Sequence, residues 1–135
     1  MKYVNMALVL TALTLCGCSG GHKHDRSTAP VNANASLGDL SKFKAIAEDT
    51  LKIVKQGDLP AAKTRIKDLE TEWDNAEEKL KPINSDKWTS IDKSIDRALA
   101  LLRSGTPDGT ACAASLEQLI AKFNAIDQNT APTTH

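Results

Sequence analysis

A chain of 135 residues is the size of one domain and can bury a single core without metals or disulfides. Lys plus Arg equals Asp plus Glu at 17 each, and no Arg-rich stripe interleaves with aromatics, so no nucleic-acid partner is expected. Aromatics are only 4% of the chain, and apart from Tyr3 they are Phe43, Trp73, Trp88 and Phe123, so the core must rest mostly on Leu, Ile and Ala.

The first element in chain order is an address. Lys2 precedes an apolar run from Met6 to Leu15 that ends at small residues, the pattern of a signal peptide and too short for a mature spanning helix. Leu15-Cys16-Gly17-Cys18-Ser19 follows, and it resembles the lipobox of bacterial lipoproteins, with Leu three positions before a Cys and Gly directly before it. The resemblance implies a signal over residues 1–17, cleavage in front of Cys18, and acylation of Cys18 on its sulfur and usually on the new amino group. The membrane then becomes a partner through a palmitate-type anchor, and several acyl chains hold a protein durably where one is marginal. Cys16 stands where Ala, Ser or Thr is commoner, and choosing it as the anchor would put Leu15 where the family wants a small residue. Ser19, which is not Asp, implies the outer membrane facing the periplasm if the cell is Gram-negative. The alternative is an ordinary secreted protein with Cys18 a bystander. A cut after Gly20 would then free Gly21-His22-Lys23, whose amine and imidazole suit square-planar copper(II).

Residues 18–35 are nearly devoid of apolar side chains and read as a spacer, as do residues 128–135 at the other end. Within the spacer His22, His24 and Asp25 are weak metal-binding candidates, because a specific site needs held geometry and further ligands.

Residues 36–127 carry four amphipathic segments with apolar residues in alternating steps of three and four. The first is predicted from about Leu37 to Gln56, capped by Ser36 and stopped by Gly57, with Leu40, Phe43, Ala47, Leu51 and Val54 on one face. The second follows Asp58 and Pro60 and shows Ala62, Ile66, Leu69, Trp73, Ala76 and Leu80 before Pro82 ends it. The third starts near Ser85 with Trp88, Ile91, Ile95, Ala98, Leu99 and Leu102 and stops at Gly105. The fourth follows Asp108 with Cys112, Leu116, Leu119, Ile120, Phe123 and Ile126. No segment competes as a strand, so the class is all-α, and short connections favour an antiparallel up-down four-helix bundle. Gly57 to Ala62 faintly resembles the start of a tetratricopeptide unit, but no copy follows 34 residues later. The stretch from Ala62 to Leu102, with Leu69-Glu70-Thr71-Glu72-Trp73 and Trp88-Thr89-Ser90-Ile91-Asp92, resembles a helical domain of uncharacterised exported bacterial proteins; that resemblance brings no activity with it.

Catalysis finds little support in these residues. All three histidines, His22, His24 and His135, lie in the tails, which leaves no positioned base for a Ser or Cys nucleophile and no Glu-x-x-His pair for a dimetal bundle. Haem ligation is equally unprovided for, and no cofactor is expected. Carboxylates fall outside the seams, so none is expected to be buried enough to raise its pKa, whereas Cys112 falls on a seam as a small hydrophobe. On the second helix Glu70, Asp74, Glu77 and Glu78 share a face. Like charges four apart are unfavourable, and the stripe either meets a basic partner or divalent cations, or pairs with lysines such as Lys42, Lys44, Lys87 or Lys93. The expected function is a non-enzymatic, monomeric, lipid-anchored envelope protein that acts as a protein-interaction or structural module. The alternative is a periplasmic metal- or small-molecule-binding module.

The two N-terminal cysteines predict opposite outcomes. Cys18→Ser removes the thiol that would accept lipid and should release the protein from membranes, whereas Cys16→Ser should leave processing intact. Membrane fractionation and intact mass distinguish them, and a Cys18→Ser protein still acylated at wild-type levels would refute the lipoprotein assignment.

Overall fold

The computed structural model describes residues 35–128, so the signal sequence, Cys18 and the His22, His24 and Asp25 cluster lie outside the described residues. Four helices follow one another: α1 (Ser41–Lys55), α2 (Leu59–Leu80), α3 (Ser85–Leu102) and α4 (Gly109–Gln128), with no strand among the described residues. The connections, 56–58, 81–84 and 103–108, are too short to let a helix return parallel to the one before. Packing of α1 on α2, α2 on α3, α3 on α4 and α4 back on α1 closes an all-α bundle.

Three helices begin where a side chain replaces a missing backbone acceptor. The Asp58 carboxylate accepts from Ala61 N at 3.0 Å, Asn84 from Lys87 N at 3.0 Å, and Asp108 from Thr110 N at 2.7 Å. Gly57 takes the left-handed conformation after α1, with φ of 84°, as its position predicts.

The start of α1 differs from the expectation. Ser36 caps a turn by accepting from Gly38 N, Gly38 turns left-handed at φ 86°, and Asp39 accepts from Ser41 N, so the helix begins only at Ser41. Leu37 and Leu40 are nonetheless fully buried. The segment 35–40 thus works as a strap across one end of the bundle, pinned where Asn84 Nδ2 and Lys87 Nζ donate to the Ala35 carbonyl at 3.2 and 3.0 Å. A second correction lies within α1. Thr50 holds the seam position, wholly buried with its hydroxyl donating to the Ile46 carbonyl at 2.8 Å, and Leu51 sits at the margin of the core.

The remaining seams largely follow their periodicity. Ala62, Ile66, Leu69 and Trp73 of α2, six residues of α3 from Trp88 to Leu102, and Cys112, Leu116, Leu119, Phe123 and Ile126 of α4 are buried, whereas Ala76, Leu80 and Ile120, also expected there, are only partly buried at the margin of the core. Each helix contributes one aromatic ring, and all four rings converge at the strap end. Trp73 meets Phe43 edge-on at 5.1 Å, Phe123 edge-on at 6.2 Å, and lies nearly parallel to Trp88 at 5.5 Å. Such pairs add about 0.5–1.5 kcal/mol each beyond the area they bury.

Trp73→Ala removes the ring that all the others touch and should cost about 3–5 kcal/mol of stability. Urea unfolding followed by circular dichroism measures it. An unchanged midpoint would show that Trp73 does not face the core.

Candidate functional site

Three of the four helix seams are closed at the surface by groups that attract. Lys42 pairs with Glu72 and Arg65 with Asp49 between α1 and α2, and Lys55 pairs with Glu117 between α1 and α4, all at 2.7–2.8 Å. Lys122 Nζ donates from α4 to the Ser90 carbonyl and Ser94 Oγ of α3 at 2.9 and 2.7 Å. The fourth seam, between α2 and α3, is built differently. Glu70, Asp74, Glu77 and Glu78 line one wall of a cleft of about 560 Å³, and Asp92 and Asp96 line the other.

Helix geometry explains the gathering. Glu70, Asp74 and Glu78 recur every four residues, as do Trp88, Asp92 and Asp96, so each trio lies along one stripe of its helix. Antiparallel packing then sets the two stripes face to face above the stacked indoles of Trp73 and Trp88. The stripe on α2 was legible in the sequence and all four of its residues reach the cleft. The α3 half was missed, because a Trp-x-x-x-Asp-x-x-x-Asp spacing acquires meaning only once its facing helix is known.

Cations close the two ends. At one end Arg103 donates to both oxygens of Glu70, at 3.3 and 2.5 Å. At the other, Lys81 Nζ lies 2.7 Å from Glu77 Oε1 and 4.7 Å from the centre of the Trp88 ring, held by a carboxylate and an aromatic face together. Of the lysines expected to neutralise the stripe, Lys42 serves Glu72, Lys44 donates to Asn124 and Lys87 to Ala35, and Lys93 forms no ion pair among the described residues. No ion pair is formed by Asp74, Glu78, Asp92 or Asp96 among the described residues. Six carboxylates against two cations leave four negative charges in the middle of the cleft.

Asp92 registers that imbalance. Burial raises its pKa above the ordinary 3.8, the neighbouring Asp96 charge adds to the rise, the Trp73 indole N–H opposes it, and Asp74 and Glu77 raise it further. The expectation that no carboxylate would be buried enough to shift is therefore corrected here: Asp92 flanks the α3 seam and is half-buried beside it. Trp73 Nε1 and Trp88 Nε1 are both buried donors that make no hydrogen bond within the geometric limits.

The other candidates contribute less. Cys112 is buried, and desolvation, with the Asp108 charge, pushes its thiol pKa up, which makes it a poor nucleophile. Among the described residues, no three His, Cys, Asp or Glu side chains come together closely enough to hold a metal ion, and no helix is long and apolar enough to cross a membrane. No protein-family model, curated protein or solved structure matches the chain.

Asp92 makes the stability pH-dependent in a definite direction. A carboxyl whose folded pKa is raised favours the fold while protonated, and that contribution disappears as pH rises through the folded value. Asp92→Asn should therefore raise the melting temperature near neutrality. The gain should shrink to nothing as pH falls from about 7 to about 3, below the unfolded pKa. A gain of the same size at every pH would rule out charge as its source.

Proposed function

We propose that this chain is a non-enzymatic, lipid-anchored envelope protein whose helical domain binds a cationic ligand in the acidic cleft between α2 and α3. The observation that carries the reading is the set of four carboxylates without a counter-ion, held above an aromatic floor between two helices that otherwise pack well. Like charges facing across a helix interface oppose folding. Natural sequences keep such local conflicts chiefly where a function requires them.

Address and chemistry support the same reading. The lipobox-like Leu15 to Cys18 would tether the domain to a membrane, and residues 18–35 would separate it from the surface. A binding role also fits a chain whose three histidines all lie in its tails and whose Cys112 is buried and poorly ionised.

The test is a thermal-shift panel of multivalent cations and matched multivalent anions on the full chain, at low and at high ionic strength. Cations should raise the unfolding temperature at low salt and lose most of the effect above about 0.1 M salt, where the screening length falls below about 10 Å. Asp74→Asn combined with Glu78→Gln should flatten the response. Equal shifts with cations and anions would overturn the reading.

A further inference from the structure

One side-chain amide holds two elements at once. Asn84, buried in the turn between α2 and α3, accepts from Lys87 N through Oδ1 and so caps α3, while its Nδ2 donates to the Ala35 carbonyl at the head of the strap. Lys87 closes the circuit, because its Nζ donates to that same carbonyl at 3.0 Å. Strap, cap and first turn of α3 are thus joined through three residues. The two ends of an amide turn together, so a rotation that carries Nδ2 away from Ala35 also carries Oδ1 away from Lys87 N.

The strap is built to move as a unit. Ser36 accepts from Gly38 N and Asp39 from Ser41 N, so these hydrogen bonds lie within residues 36–41 and tie nothing to α2, α3 or α4. Its grip on the rest of the domain comes chiefly from the buried side chains of Leu37 and Leu40 and from the Ala35 carbonyl. Each helix, by contrast, packs on two neighbours. Segments with few buried contacts open at a lower cost than the whole domain.

We propose that residues 35–40 are a releasable latch that couples the chain entering at Ala35 to the first turn of α3. When the strap lifts, Asn84 gives up the cap, and the turn that carries Lys87 and Trp88 loosens with it. The device is independent of the cation-binding reading. With Cys18 anchored as proposed above, a pull on the preceding residues would reach the Ala35 carbonyl first and pass from there to Trp88, the ring on which Lys81 rests.

Hydrogen exchange of the full chain, resolved amide by amide by NMR, tests the coupling. Phe43 N and Lys44 N donate to the Leu40 carbonyl and report on the strap, while Lys87 N and Trp88 N donate to Asn84 and report on the cap. The amides of Leu116 and Leu119, in the middle of α4, report on global unfolding. Strap and cap amides should share one opening, with exchange at least about tenfold faster than that of the α4 pair. Leu37→Ala should quicken strap and cap amides by the same factor. Asn84→Asp, which keeps an acceptor for the cap and removes the donor to Ala35, should do likewise and decides the matter even if Leu37→Ala unfolds the domain. Strap amides that quicken while Lys87 and Trp88 do not would overturn the coupling. Strap amides that exchange only as slowly as Leu116 and Leu119 would show that the strap never opens alone, and would overturn the latch.

Discussion

The contact on which the bundle depends is the meeting of four rings around Trp73. Helices dominated by Leu, Ile and Ala can slide past one another with little penalty, because aliphatic side chains of similar size exchange places readily. One large ring per helix, all at one level, removes that freedom. Phe43 lies near the start of α1, Trp73 in the second half of α2, Trp88 at the start of α3 and Phe123 late in α4, and only alternating directions bring those four positions to the same end. Leu37 and Leu40 then seal that end from outside, which is why the strap is buried although it is not helical. At the opposite end Ala62, Ala98 and Cys112 are small and let the helices draw together without such a fixture.

The same tryptophan that organises the core also sets the floor of the cleft, and this joins fold to site. Trp73 and Trp88 stack nearly parallel, and their rings space α2 and α3 so that a groove remains above them. The other seams use their surface residues to attract across the helix pair, through Lys42 and Glu72, Arg65 and Asp49, or Lys55 and Glu117. Exposed pairs of this kind contribute little individually, about 0–1 kcal/mol. What matters is the contrast: among the described residues α2 and α3 bring carboxylates to both walls of one cleft, while Arg103 and Lys81 lie at its margins. The chain as a whole is neutral, so the negative potential is local and is balanced by lysines on other faces.

The legible and illegible parts of this structure divide along a physical line. The periods of α2, α3 and α4 could be read because a helix that buries one face must repeat its apolar residues at 3.6, and every seam residue from Trp88 to Leu102 is buried. The start of α1 could not, because Ser36 and Asp39 are as able to stabilise a turn as a helix, and Gly38 decides for the turn. Thr50 displaced Leu51 because its hydroxyl found the Ile46 carbonyl, which let a polar residue occupy the core. The α2 side of the cleft was visible as an unfavourable run of like charges. Its α3 side was hidden, since Asp92 and Asp96 look like ordinary surface residues until α2 faces them, and Trp73 and Trp88 look like core alone.

The strap gives the site a direction. Ala35 is fastened to Asn84 and Lys87, next to the end of the cleft that Lys81 and Trp88 occupy, so the chain leaves the domain there. Under the proposed anchoring at Cys18, residues 18–34 join that point to the membrane, and covalent geometry limits their reach to about 60 Å. The cleft runs along the bundle from this end, so its Lys81 end is the one nearest the tether and its Arg103 end the one farther off. Screening confines the field of exposed carboxylates to about 8 Å at physiological salt. Under the proposed anchoring and cation-binding reading, a tether of that reach would hold the acidic face farther from a membrane surface than the range over which its own field acts.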